Sequence, residues 1–230
     1  MLSKQSGFTL VEIAIVLVII GLLLGGVLKG QELIDSAKVK NFANDFRNLP
    51  LFIYGYQDKF KALPGDDSSV ATRHLGASVN GVAVVAATTP AGQQGNGAID
   101  GAWNSTVLTD ESILFWQHVR LAGLAAGPTT APTTATLADF MPKNAAGNII
   151  GIAAGAHTPI IGLAGTYVAC SQGILGKHAR QLDTTLDDGD PATGPIRVMT
   201  NQSADQAAAV AAVAAAALAP DTAYTVCMGI

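Results

Sequence analysis

The chain has 230 residues, 49% of them hydrophobic and only 13% charged, with a net charge of −4 at pH 7. That length accommodates one sizeable domain, and the acidic balance leaves no strong positive field for nucleic acid, so no nucleic-acid partner is expected. His74, His118, His157 and His178 lack zinc-ligand spacing, and Gly162-Leu163-Ala164-Gly165 lacks the context of a phosphate-binding loop. The chain therefore reads as non-enzymatic.

In chain order, a short basic stretch leads into Phe8–Leu28, 21 residues in which Glu12 is the only charge. At 1.5 Å per residue such a helix is about 30 Å long, enough to cross a hydrocarbon core. A carboxylate placed there costs about 2.5–3.5 kcal/mol and needs a partner. No Ala-x-Ala site follows Leu28, unlike an ordinary secretory signal. A plain single-pass anchor would have no use for Glu12.

The segment Lys4-Gln5-Ser6-Gly7-Phe8-Thr9-Leu10-Val11-Glu12 resembles the processing site of type IV prepilins and of the pseudopilins of type II secretion. The resemblance implies cleavage by a prepilin peptidase after Gly7, N-methylation of Phe8, and an assembly role for Phe8 and Glu12. It further implies that Glu12 pairs with the Phe8 ammonium of a neighbouring subunit. Such pairing neutralises two charges that lipid or a filament core would leave unmatched, and sets the axial register. The chain then divides into a leader (1–7), a transmembrane and assembly half-helix (8–28), a stalk half-helix (29–62) and a globular head (63–230). One departure stands out: the family commonly carries a proline where this chain has Lys29, and Gly21, Gly25, Gly26 and Gly30 crowd the region. Each glycine costs a helix about 1 kcal/mol relative to alanine, so Gly21–Gly30 is where the helix is expected to loosen. Close packing of neighbouring helices against small residues is the alternative.

Beyond the membrane segment, Val39, Phe42, Ala43, Phe46, Leu49, Ile53 and Phe60 recur mostly at three- and four-residue steps. That stripe continues one helix, kinked at Pro50, as far as a terminator at Leu63-Pro64-Gly65-Asp66. Asp66 and Asp67 read as turn residues, and Gly65–Ile99 as loop with short strands. Thr109 or Asp110 caps a helix through Leu124. Asn148–Ile152, Pro159–Cys170, Ile196–Thr200 and Ala223–Met228 read as strands, and Ile174–Leu186 as an amphipathic helix. Ser203-x-x-Gln206 forms a capping-box pattern before the alanine-rich run 207–219, which reads as a helix. Trp103 and Trp116 read as packing residues. The fold class is thus α+β: a long N-terminal helix, membrane segment plus stalk, packed on a C-terminal head with an antiparallel sheet.

Cys170 and Cys227 most simply form one disulfide in an oxidising compartment, with two buried thiols as the alternative. Asp187, Asp188 and Asp190 surround Gly189 and offer hard oxygen ligands that suit calcium. Aspartates that bond their own turn backbone are the competing reading. Gly95-Asn96-Gly97-Ala98-Ile99-Asp100 resembles half of a calcium loop but lacks acids at the preceding ligand positions.

The resemblance implies a structural subunit of a type IV pilus-like filament that self-assembles through its processed N-terminal helix. The alternatives are a type II secretion pseudopilin, or a minor tip subunit for adhesion or DNA uptake. DNA capture would require Lys143, Lys177, Arg180 and Arg197 to gather on one face. Implied partners are identical or homologous pilin subunits in a helical homopolymer, the prepilin peptidase, inner-membrane assembly machinery and, before assembly, the lipid bilayer. The implied location is the bacterial inner membrane for the precursor and subunit pool, then an extracellular pilus or a periplasmic pseudopilus.

Overall fold

A computed structural model describes residues 10–202, 205, 206 and 208–230. The chain forms two compact units, Met1–Lys38 and Val39–Ile230. Helix α1 runs from Leu10 to Phe60 and continues through Pro50. Its glycine-rich stretch 21–30 is α-helical throughout.

The second unit begins with the remainder of α1, where Val39, Phe42, Ala43, Phe46, Leu49, Ile53 and Tyr56 are buried. The stripe expected from the sequence is present, but Tyr56 takes the inner position and Phe60 is half-buried. A tyrosine can sit there because its hydroxyl donates to Asp67 Oδ2 at 2.8 Å, satisfying the buried polar tip. Lys61 then turns left-handed, at φ 56°, and ends the helix.

After a two-stranded ribbon, β1 (Ser78–Val79) and β2 (Val82–Ala83), come helices α2 (Glu111–Leu121) and α3 (Leu137–Phe140). The remaining elements are β3 (Ile150–Ala154), β4 (Tyr167–Leu175), α4 (Gly176–Leu186), β5 (Ile196–Thr200) and β6 (Ala223–Gly229). These four strands make one antiparallel sheet in the order β3-β4-β6-β5. The chain is α+β, as its patterning predicts.

Side chains alternate across a strand, and here both faces of the sheet are covered. One face carries Ile150, Ile152, Tyr167, Ala169, Ile196, Val198, Tyr224 and Val226 in the same core as Phe42, Phe46, Leu49 and Ile53 of α1. The other carries Ala153, Val168, Cys170, Met199 and Cys227, packed with Trp103, Ile160 and Leu163. Burial on both faces explains why these strands read as apolar runs rather than alternating patterns.

Three expectations need correction. Only Tyr167 onward of the stretch 159–170 is strand; residues 159–166 form turn and loop. Gly162 sits at φ 76°, which breaks an extended run before it can pair. The alanine-rich run is not an α-helix among the described residues. Val210 instead bridges Ile160, Val213 N–H donates to Val198 O at 2.7 Å, and Ala215–Ala217 makes a 3-10 turn. Tertiary pairing with the sheet overrides alanine's helix propensity. Ser203 of the capping-box pattern lies outside the described residues, and Gln206 is otherwise engaged: it accepts from Trp103 Nε1 at 3.0 Å and donates to Pro159 O at 3.0 Å. Finally, Asp110 occupies the N-cap of α2 without a capping side-chain bond. Its carboxylate accepts from the Thr89 and Ser105 hydroxyls instead.

Candidate functional site

Residues 10–29 of α1 are exposed along their whole length. Leu10 is 91% and Leu22 73% exposed, values that water penalises and lipid or neighbouring helices do not. Among the described residues, α1 is the one helix long and apolar enough to cross a membrane. Glu12 stands in its first turn, an exposed acid amid Leu10, Val11 and Ile13. Past the apolar run, Lys29 Nζ pairs with Glu32 at 2.7 Å. A Cβ added at Gly21, Gly25, Gly26 or Gly30 would meet nothing within 4 Å. Gly7, Phe8 and the leader lie outside the described residues.

In the second unit, Cys170 and Cys227 stand directly opposite one another on β4 and β6 and are joined by a disulfide. The loop that it closes spans 57 residues and restricts the unfolded chain by about 4 kcal/mol in the entropy model.

Asp66 and Asp67 do more than turn the chain. Asp66 accepts the backbone N–H groups of Gly95, Asn96 and Gly97, the last at 2.8 Å, and so gathers a distant loop. Asp67 is bonded by Tyr56 and by His74 Nδ1 at 2.5 Å, while its other oxygen accepts from Ser69 N–H. Both carboxylates are buried. Asp100, at the end of the partial calcium-loop pattern, accepts from Asn96 and pairs with His157 at 2.7 Å. Local spacing predicted turn residues because it could not show the loop that Asp66 would reach.

The basic residues have intramolecular work. Lys143 pairs with Asp139 at 3.3 Å, Arg180 donates to Ala215 O at 2.8 Å, and Arg197 donates to Ile161 O at 2.9 Å. Trp103 and Trp116 are both buried and pack in the core.

The acidic turn follows α4. One carboxylate oxygen from each of Asp183, Asp187 and Asp188 lies within 4.8 Å of the others. Asp190 is outside this group; its Oδ1 accepts from Ala192 N–H at 3.1 Å. Asp187 Oδ2 accepts from Ile196 N–H at 3.0 Å, tying the turn to the start of β5. Gly194 lets that carboxylate approach, since a Cβ there would lie 2.0 Å from Asp187 Oδ2. Asp183 is the member that sequence reasoning missed. It is fully buried, and burial, aided by the charges of Asp187, Asp188 and Asp190, pushes its carboxyl up to about 6. Its i,i+4 spacing from Asp187 on a predicted helix was the available signal.

Residues 2–28 match the prokaryotic N-terminal methylation motif, the prepilin-type motif of type IV pilins and pseudopilins. No curated protein and no solved structure matches the chain. The motif supports a type IV pilin-like or pseudopilin subunit in general, a structural and non-enzymatic class. It implies processing by prepilin peptidase and assembly with other pilin subunits. With the apolar helix, it fits an inner-membrane precursor that later enters a filament.

Proposed function

We propose that this chain is a structural subunit of a type IV pilus-like filament, assembled through its processed N-terminal helix. One observation carries the reading: within the methylation motif, the described residues from Leu10 to Leu28 form an exposed apolar helix with a single acid, Glu12, in its first described turn. Cleavage after Gly7 creates an ammonium at Phe8, which stands shortly before Glu12 in the sequence. Pairing Glu12 with the Phe8 amine of the next subunit neutralises both charges at once, and a misplaced subunit does not bring the two together. Cohesion comes from the apolar surface, worth about 25 cal/mol for each Å² taken out of water. The open ground at Gly21, Gly25, Gly26 and Gly30 lets neighbouring backbones come close. The precursor resides in the inner membrane and the mature subunit in the pilus.

The test is Glu12→Ala, followed in the membrane fraction and in filaments sheared from cells. Membrane insertion and leader removal are expected to persist while incorporation into filaments falls at least about tenfold, the loss of an interaction worth about 1.4 kcal/mol or more. Normal incorporation of the variant would contradict the role given to Glu12.

A further inference from the structure

We infer that Asp183, Asp187 and Asp188 form a calcium site at the C-terminal end of α4. The inference goes beyond filament assembly and does not depend on it.

Three neighbouring acids alone would mean little on a surface. The decisive residue is Asp183, which has 0% exposure. Neither of its carboxylate oxygens has a hydrogen-bond partner among the described residues. A carboxylate withdrawn from water and left unbonded is strongly penalised, and natural structures resolve this by pairing it or by placing it on a metal. The charged groups that act on it are acids: Asp187, Asp188 and Asp190. The site also falls at the negative end of the α4 dipole, where further negative charge is unfavourable and a cation is favoured.

The geometry accepts a single ion. Calcium holds oxygens at about 2.3–2.6 Å, so two of its ligands can stand up to about 5 Å apart. The three carboxylate oxygens lie within 4.8 Å of one another, inside that limit. Magnesium demands a near-ideal octahedron at about 2.0–2.1 Å and usually keeps several waters, so a cluster of protein carboxylates suits it less. An all-oxygen, triply anionic set is the chemistry of a hard cation.

The surroundings orient the ligands and leave a way in. Asp187 is held by Ile196 N–H, and Asp188 by Asp190 N–H at 2.8 Å and by the Thr193 hydroxyl at 3.1 Å. Such outer bonds fix ligand direction at metal sites. Burial grades from Asp183 inside, through half-buried Asp187, to exposed Asp188, so an ion can enter from solvent at Asp188. Asp190, the third acid of the sequence pattern, supports the turn rather than the ion.

The full chain in detergent micelles, stripped with a chelator, is titrated calorimetrically with calcium chloride and separately with magnesium chloride. The expected result is one calcium per chain, at least tenfold tighter than magnesium, with a calcium-dependent rise in melting temperature. Asp183→Asn and Asp188→Asn should each weaken calcium binding at least tenfold, and Asp190→Asn should leave it within about twofold, a free-energy change of about 0.4 kcal/mol. Because Asp188 is exposed, its variant reports even if the buried Asp183→Asn variant does not fold. Absence of calcium binding in the parent chain, or unchanged binding in Asp188→Asn, would overturn the site. So would loss confined to Asp190→Asn.

Discussion

The backbone N–H of Gly65 donates to Nδ1 of His118 at 2.9 Å, joining the loop after α1 to the interior of α2 through one buried hydrogen bond. The acceptor role of Nδ1 puts the proton on Nε2, which donates to Val85 O at 2.8 Å. Burial holds His118 below its usual pKa, so the ring stays neutral. Gly65 lies at φ 91°, and a Cβ there would stand 2.4 Å from the carbonyl oxygen of Glu111. Gly65→Ala should therefore destabilise the full chain in detergent by about 2–4 kcal/mol, from left-handed strain and a backbone clash together. Denaturant unfolding checks this, and an unchanged midpoint would contradict the close approach.

Glu111 makes part of the stability depend on pH. Burial first pushes its carboxyl up, opposed by the Asp100 N–H that bonds it and aided by the charges of Asp66, Asp100 and Asp110, to about 7. Between the ordinary value of 4.5 and about 7 the folded chain binds more protons at Glu111 than the unfolded chain does. This contribution therefore stabilises at low pH and is lost as pH rises through that window. Glu111→Gln removes the titration. Its stability relative to the parent should rise from pH 4.5 to 7, by on the order of 2–3 kcal/mol. A flat difference across that range would refute the raised value.

The disulfide should be a measurable part of the second unit's stability. Cys170 and Cys227 are buried in the core on one face of the sheet. Reduction, or replacement of both by alanine, should lower unfolding stability by about 2–4 kcal/mol. Identical unfolding curves with and without reductant would show that the sheet holds without the bond.

Processing should be sensitive to bulk and charge at the cleavage position. Gly7→Arg should leave the chain at precursor mass, with no mature form beginning at Phe8, because a peptidase that cuts after glycine must admit the residue beside the scissile bond. Intact-mass measurement of the membrane fraction decides it, and normal maturation would count against a prepilin-type cut.

Legibility varies along the chain for physical reasons. The stripe Val39–Ile53 is readable because helical period and burial coincide. Ile196–Thr200 appears as read, and Ala223–Met228 gains only Gly229. Both are short apolar runs bounded by turn residues. The stretch 159–166 is misleading because its apolar residues pack beneath the sheet without joining it, as Ile160 and Leu163 do. The alanine-rich run carries no periodic contrast, so its pairing with Ile160 and Val198 is invisible until the fold is formed. Asp183 hides for a related reason: an acid on an amphipathic helix reads as part of the wet face, yet this one is buried. In the candidate assembly segment, Gly7, Phe8 and Glu12 are singled out because they fall within a specific local motif, and their roles await the processing and incorporation experiments. The acidic cluster is only half legible, since its buried acid, Asp183, comes from the preceding helix.

The measurement to make is quantitative mass spectrometry of filaments sheared from native cells, including the N-terminal peptide. A filament subunit processed at Gly7 should be abundant in that fraction and begin at methylated Phe8. Mature Phe8 termini confined to the cell envelope, with none in the sheared fraction, would contradict the pilus assignment and place the chain among the periplasmic pseudopilins.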